Sequence, residues 1–245
     1  MRIGILETGE VSGDMADKHG SYPPMFRRLL DAADGDLTYQ TFSVVRGVMP
    51  DDPEQADAWL ITGSRHGVYD PLPWMEPLKS FLRDCLARRV PVVGVCFGHQ
   101  LLAEAMGGKV EKSDKGWGLG VHTYQITTRP DWMVTAGDTF STRAVHQDQI
   151  VELPPETVVL ARSEFCNYAA LAYGDADAPI AISVQPHPEF DADFVREIIL
   201  SRIGDAVPED VGTAALETLD QPVHNVDWAR WMIRFMRDAV ARRAA

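Results

Sequence analysis

Val90-Pro91-Val92-Val93-Gly94-Val95-Cys96-Phe97-Gly98-His99-Gln100 is the stretch on which the reading of this chain turns. An apolar, β-branched run over residues 90–95 stops at Val95. A helical pattern over residues 99–106 follows almost at once and is stopped by Gly107-Gly108. Gly94-Val95-Cys96-Phe97-Gly98 therefore occupies a strand-to-helix turn, the cysteine form of the G-x-S-x-G nucleophile elbow. Glycines two residues to either side of Cys96 remove side chains that would collide in so tight a turn. The positive end of the helix favours thiolate over thiol, and the Phe97 N–H is left to bind an oxyanion. Standing alone, the pentapeptide also fits a small buried hydrophobe at a strand end, the usual setting of a free cysteine.

Outward from this turn, strand and helix patterns alternate, as in βαβ units around a mainly parallel sheet. Residues 2–6, 37–45, 58–62 and 180–184 read as further strands. Met25, Phe26, Leu29, Leu30 and Ala33 mark one helix after Tyr22-Pro23-Pro24, and Trp74, Leu78, Phe81, Leu82, Cys85 and Leu86 mark another. Residues 110–173 are rich in strands and turns whose pairing the sequence does not reveal. A helix is expected over residues 192–203, then a polar stretch over 205–221, then a last helix. The last helix carries Trp228, Trp231, Met232, Phe235 and Met236 on one face, which fits either core coverage or docking of a separate polypeptide, another copy of this chain included. The polar segment 8–20 follows the first strand and is expected as a loop, either facing substrate or plainly flexible. The expected fold is α/β with a mainly parallel sheet flanked by helices, one domain over residues 1–190 with a helical extension over 191–245 packed on it.

Composition narrows the function. The net charge of −13 argues against nucleic acid and against an anionic membrane surface. No apolar run approaches the roughly 20 residues that cross a bilayer, and the acid at Glu7 comes too early for a signal peptide. Cys85, Cys96 and Cys166 are too few and too scattered for a disulfide framework or a zinc site, so a reduced, cytoplasmic protein is expected. The histidines show no metal-ligand spacing, and no phosphate loop or G-x-G-x-x-G appears; neither a metal nor a cofactor is expected, nor a built-in ATP-dependent synthetase. Cys85 reads as core, Cys166 as a loop cysteine open to exposure, and His66, His99 and His122 as hydrogen-bonded fillers.

A cysteine nucleophile needs a base and a group to orient the base. His187-Pro188-Glu189 offers both directly after a strand: residues i and i+2 of an extended segment face the same way, and Pro188 stiffens the turn. Elbow and pair each follow a strand of one parallel sheet, and such strand ends converge on one face. A surface His–Glu pair is the plainer alternative. Ile61-Thr62-Gly63-Ser64-Arg65-His66-Gly67, after the third strand, is glycine-rich enough to bring backbone to a ligand, although an ordinary β-turn reads the same way.

Cys96-Phe97-Gly98-His99-Gln100 and Val184-Gln185-Pro186-His187-Pro188-Glu189 together resemble the two signature segments of the class I glutamine amidotransferases. The resemblance runs from Ile3 to about Phe190. It implies a flavodoxin-like domain in which the cysteine attacks the side-chain amide of glutamine, ammonia leaves, and water then releases glutamate from a γ-glutamyl thioester. It places the oxyanion donors at Phe97 and at Gly63 or Ser64, and it sets Gln100 and Val145-His146-Gln147-Asp148 around the glutamine pocket. Phe42-x-x-Val45-x-Gly47, Pro50-Asp51, Thr62-Gly63-Ser64-x-His66, and His146-Gln147-Asp148 with Leu153-Pro154 resemble a branch of stand-alone members that includes γ-glutamyl peptidases. Ser64-Arg65-His66 departs from the proline-containing turn of fused amidotransferases, and Arg65 there is expected to meet a carboxylate beyond the scissile bond. Three functions fit: a hydrolase of small γ-glutamyl compounds, a glutaminase subunit donating ammonia to a separate synthetase, and a non-catalytic binding or regulatory protein of the same fold.

Overall fold

The β-branched runs become strands because they can be buried on both faces, and the computed structural model, which describes residues 1–11, 13–134 and 137–244, shows where each goes. In chain order the strands are β1 (Arg2–Glu7), β2 (Thr38–Ser43), β3 (Ala58–Ile61), β4 (Val92–Val95), β5 (Lys109–Lys112) and β6 (Gly118–Ile126). They continue with β7 (Thr139–His146), β8 (Asp148–Glu152), β9 (Thr157–Arg162), β10 (Ala170–Tyr173) and β11 (Ala181–Val184). The helices are α1 (Asp14–His19), α2 (Tyr22–Asp31), α3 (Met75–Ala87), α4 (Phe97–Ala105), α5 (Ala192–Leu200), α6 (Glu209–Thr218) and α7 (Asn225–Ala244).

One sheet runs in the order β2-β1-β3-β4-β11-β10-β9-β6-β7. From β2 to β11 every neighbour is parallel, the flavodoxin-like doubly wound order. From β11 to β7 every neighbour is antiparallel, which resolves the pairing of the middle segment. β5 and β8 form a separate antiparallel pair. Helices α2 and α7 cover one face, where Phe26 and Leu30 join Trp228, Trp231 and Met236 over β1, β4 and the antiparallel strands. Helices α3 and α4 cover the other, with Trp59 of β3 held between Phe42 and Phe81. Register places Ile61 beside Gly94 and Val95 beside Val184, so three strands end at one edge.

Several expectations give way in detail. The segment 8–20 includes α1, whose six residues bury no side chain and therefore leave no apolar period to read. The polar stretch 205–221 contains α6, whose buried positions include only the small residues Gly212 and Ala215. Those small residues let α6 come close: a Cβ on Gly120 of β6 would lie 2.8 Å from Ala215 O. The second strand stops at Ser43, and a 3₁₀ turn over Val44–Arg46 follows, closed by Gly47 at φ 80°. Cys166 is buried, not exposed, because Ser163 and Cys166 exchange hydrogen bonds that fold the loop inward. Of the two readings of the apolar face of α7, core coverage holds: the face is buried, with Trp228 and Trp231 set edge-on to Phe140. Among the described residues no helix is long and apolar enough to cross a membrane.

Candidate active site

Cys96 is the N-cap of α4 and adopts φ 53°, ψ −104°, a region that non-glycine residues rarely enter and that costs about 1–3 kcal/mol. Its neighbours leave no alternative. A Cβ on Gly94 would lie 2.4 Å from Gly98 O, and one on Gly98 would lie 2.6 Å from Ile61 O, so β4, α4 and β3 meet only across glycine. The Cys96 N–H donates to Val184 O at 2.9 Å, and the Gln100 N–H to Cys96 O at 3.0 Å. The thiol lies 3.9 Å from Val145 O, and Cys96 is 6% exposed. The first-turn N–H groups of α4, Phe97 among them, have no acceptor within the helix.

His187 follows β11 and is locked from three sides. Its N–H donates to Arg143 O at 2.7 Å, its Nδ1–H donates to Glu189 Oε1 at 2.6 Å, and its ring lies on Phe190 with centroids 3.9 Å apart and planes 6° apart. The Glu189 side chain is wholly buried. Burial alone lowers an imidazole pKa, but negative charge at Cys96 and Glu189 outweighs it here and the net direction is upward. With Nδ1–H given to Glu189, Nε2 is the nitrogen available for proton exchange. Gly63 touches this ring as well: a Cβ there would lie 2.9 Å from His187 Cε1. The Gly63–Ser64 turn is held by Thr8, whose hydroxyl donates to Thr62 O at 2.9 Å, and by Gly9, where a Cβ would lie 2.8 Å from Ser64 Cα. Ser64 Oγ accepts the His66 N–H at 3.2 Å.

Cys96 and His187 line one cavity of about 460 Å³, together with Ser64, Gln100, Val145 and His146. Arg65, Gln147 and Asp148 line it too, so the segments singled out from sequence do converge. Glu189 stands behind His187, Gly63 presses on the imidazole, and the Phe97 ring is buried against Trp74. Gln100 holds the wall: its Nε2 donates to Asp148 O at 2.8 Å and Gln185 Oε1 at 3.1 Å. His146 donates from Nδ1 to Asp148 O at 3.2 Å, and burial pushes its pKa down to about 3, so it is neutral. Tyr22, Tyr69, Trp117 and Arg202 also line the cavity, and nothing in the sequence flags them. They sit one to a segment, in loops and at helix ends, with no shared spacing. Among the described residues no group of three His, Cys, Asp or Glu is placed to hold a metal ion.

Residues 46–200 match the family model for glutamine amidotransferase class-I, well over half of the chain. The chain belongs to that family. It is 31% identical to γ-glutamyl peptidase 4 of Arabidopsis thaliana, over 74% of this chain and 72% of that one. It is 33% identical to one subunit of the glutamine-hydrolysing GMP synthase of Halobacterium salinarum, over 71% of this chain and 87% of that one. A glutamine amido transferase crystal structure from Methylobacillus flagellatus superimposes on it with a TM-score of 0.74 at 26% identity, covering 97% of this chain and 94% of that one. Cys96 and His187 lie inside the matched span, whereas Tyr22 precedes it and Arg202 follows it.

Proposed function

We propose that this protein is an amidohydrolase for γ-glutamyl amides in which Cys96 is the nucleophile, His187 the proton carrier and Glu189 its orienter. The observation that carries the reading is the buried 2.6 Å His187–Glu189 pair, with its imidazole on the wall of the cavity that Cys96 lines. The Cys96 thiolate attacks the γ-carbonyl carbon, and the oxyanion is held by the N–H of Phe97 and that of Gly63 or Ser64. The C–N bond breaks as the His187 imidazolium gives its proton to the leaving amine, leaving a γ-glutamyl thioester. Water then gives a proton back to His187 and adds to the thioester carbonyl; the C–S bond breaks and glutamate leaves. Gln100, Val145 and His146 wall the γ-glutamyl group, and Arg65 stands at the rim. The unit doing this spans residues 1–190, with residues 191–245 packed on it, and its buried free cysteines fit a reducing compartment such as the cytoplasm.

A second reading, ammonia donation to a separate synthetase, is favoured by one observation: the chain covers 87% of its GMP synthase relative from Halobacterium salinarum. Steady-state hydrolysis of glutamine and of γ-glutamyl dipeptides, by wild type and Cys96→Ser, separates the two. Dipeptide cleavage at least as efficient as glutamine cleavage, lost in Cys96→Ser, is expected. Glutamine hydrolysis that appears only with an added synthetase, without dipeptide cleavage, would decide for ammonia donation.

A further inference from the structure

The chain carries a net charge of −13, yet Arg65, Lys112 and Arg202 all line its catalytic cavity. No described residue forms an ion pair with any of the three. The two carboxylates in the same wall are already engaged. Asp70 Oδ2 accepts the Gly67 N–H at 3.0 Å and lies 3.6 Å from His66 Nδ1, and Asp148 Oδ2 accepts the Tyr69 hydroxyl at 2.9 Å. These neutral donors leave both carboxylates charged, so three cations against two carboxylates give the cavity wall a small positive excess, against the sign of the whole protein.

Arg202 is not a loose surface side chain. Its guanidinium lies 5.6 Å from the centroid of the Trp117 ring, and Trp117 Nε1–H donates to Ala206 O at 2.8 Å. The turn that carries both partners is closed, with Val207 N–H donating to Arg202 O at 3.0 Å and Gly204 N–H to Val207 O at 2.9 Å. A guanidinium placed over an indole has given up part of its hydration and still presents its fork of N–H donors to a carboxylate. The Tyr22 hydroxyl, which no described residue hydrogen-bonds, lines the same cavity as Cys96, Arg65 and Arg202. Burial pushes its pKa up to about 12, so it stands there as a neutral donor. Ammonia, the leaving group from glutamine, would use none of these groups.

We infer that Arg202 on Trp117, with Arg65 and Lys112, forms a leaving-group subsite that selects γ-glutamyl amides whose amine carries two carboxylates, such as a dicarboxylic amino acid or an acidic peptide. The inference rests on the hydrolase reading above and names its substrate class. The test compares γ-glutamyl-glutamate with γ-glutamyl-leucine, which differ in one carboxylate. Wild type should favour the acidic dipeptide in kcat/KM by about tenfold or more at low salt, mainly through KM. Arg202→Gln should lower that ratio about tenfold, and Arg202→Lys should restore it only in part, because a lysine makes no bidentate contact. A merely structural role for Arg202 would depress both substrates in parallel and leave the ratio alone. Calorimetric binding of the same two dipeptides to Cys96→Ser reads the subsite without turnover. If wild type hydrolyses neither dipeptide, the hydrolase reading fails, while preferential binding of the acidic one still upholds the subsite. Equal binding of the two, or a ratio that Arg202→Gln does not move, overturns it.

Discussion

Gly63→Ala tests whether the imidazole of His187 is as tightly fixed as the structure shows. The added methyl would sit 2.9 Å from His187 Cε1. Carbon atoms rest at about 3.5 Å or more, so the ring must retreat by about 0.6 Å. It has little room, because Phe190 lies parallel to it at 3.9 Å and Glu189 holds Nδ1 at 2.6 Å. Gly63 has no positive φ, so alanine meets no backbone strain there. The backbone N–H at position 63 survives, so no oxyanion donor is deleted. Misplacement of a catalytic group by about 1 Å costs on the order of 100-fold, and 100-fold corresponds to about 2.7 kcal/mol of barrier. Overpacking itself costs about 1–3 kcal/mol of stability.

The expected result is therefore a kcat lower by about 10- to 100-fold in a protein that still melts cooperatively within several degrees of wild type. Gly4→Ala is the contrasting control: its methyl would meet the Trp59 ring at 2.2 Å, far from the cavity, and should lower the melting temperature without singling out kcat. The assay is steady-state hydrolysis of a γ-glutamyl substrate beside thermal denaturation, with the alkylation rate of Cys96 by a chloroketone as an independent reading of the nucleophile. Wild-type kcat and wild-type alkylation in a well-folded Gly63→Ala would refute the proposed contact and the role given to a fixed imidazole.

A glutamine-like diazoketone should label Cys96 and spare Cys85 and Cys166, since both are buried and burial raises the pKa of each, that of Cys166 to about 12; mass spectrometry of the labelled peptides decides. His187→Ala should abolish turnover, whereas Glu189→Gln should impair it less, because a glutamine still holds the ring but supplies no charge; a His187→Ala enzyme near the wild-type rate would sink the triad. Arg65→Ala should raise KM for carboxylate-bearing γ-glutamyl substrates more than for glutamine, and a parallel change in both would reduce Arg65 to a solvated surface charge. Acid should destabilise the fold through His99 and His146, which burial holds neutral with pKa values of about 3. The unfolded chain binds protons on both below about 6.5, so stability is lost as pH falls from there toward 3, by at most about 1.4 kcal/mol per pH unit for each histidine. A melting temperature unchanged between pH 7 and about pH 4.5 would contradict this.

What can be read from sequence and what cannot follows from how each residue is delivered. Cys96 announces itself because its strained backbone needs Gly94 and Gly98, and a local requirement leaves a local pattern. His187 is reachable because parallel strands end on one edge, and the β4–β11 register does bring Val95 beside Val184. The helix α6 is hidden because its buried positions are Gly212, set close against Ile203, and Ala215, set close against Gly120 of β6, and they carry no hydrophobic period. Cys166 defeats a reading from composition because a turn closed by Ser163 buries it, and such closure depends on a side-chain hydrogen bond. Tyr22, Trp117 and Arg202 meet only after α2, the turn before β6 and the turn after α5 have all packed, so no window of sequence contains two of them. The family match over residues 46–200 divides along the same line. It contains Cys96, His187 and Glu189 and stops short of Arg202, so the residues proposed for bond breaking lie inside the matched span, while one of the cavity-lining arginines lies outside it. On the proposed reading Arg202 touches the leaving group and not the groups that break the bond, which is why exchanging the turn around Arg202 should move KM ratios before it moves kcat.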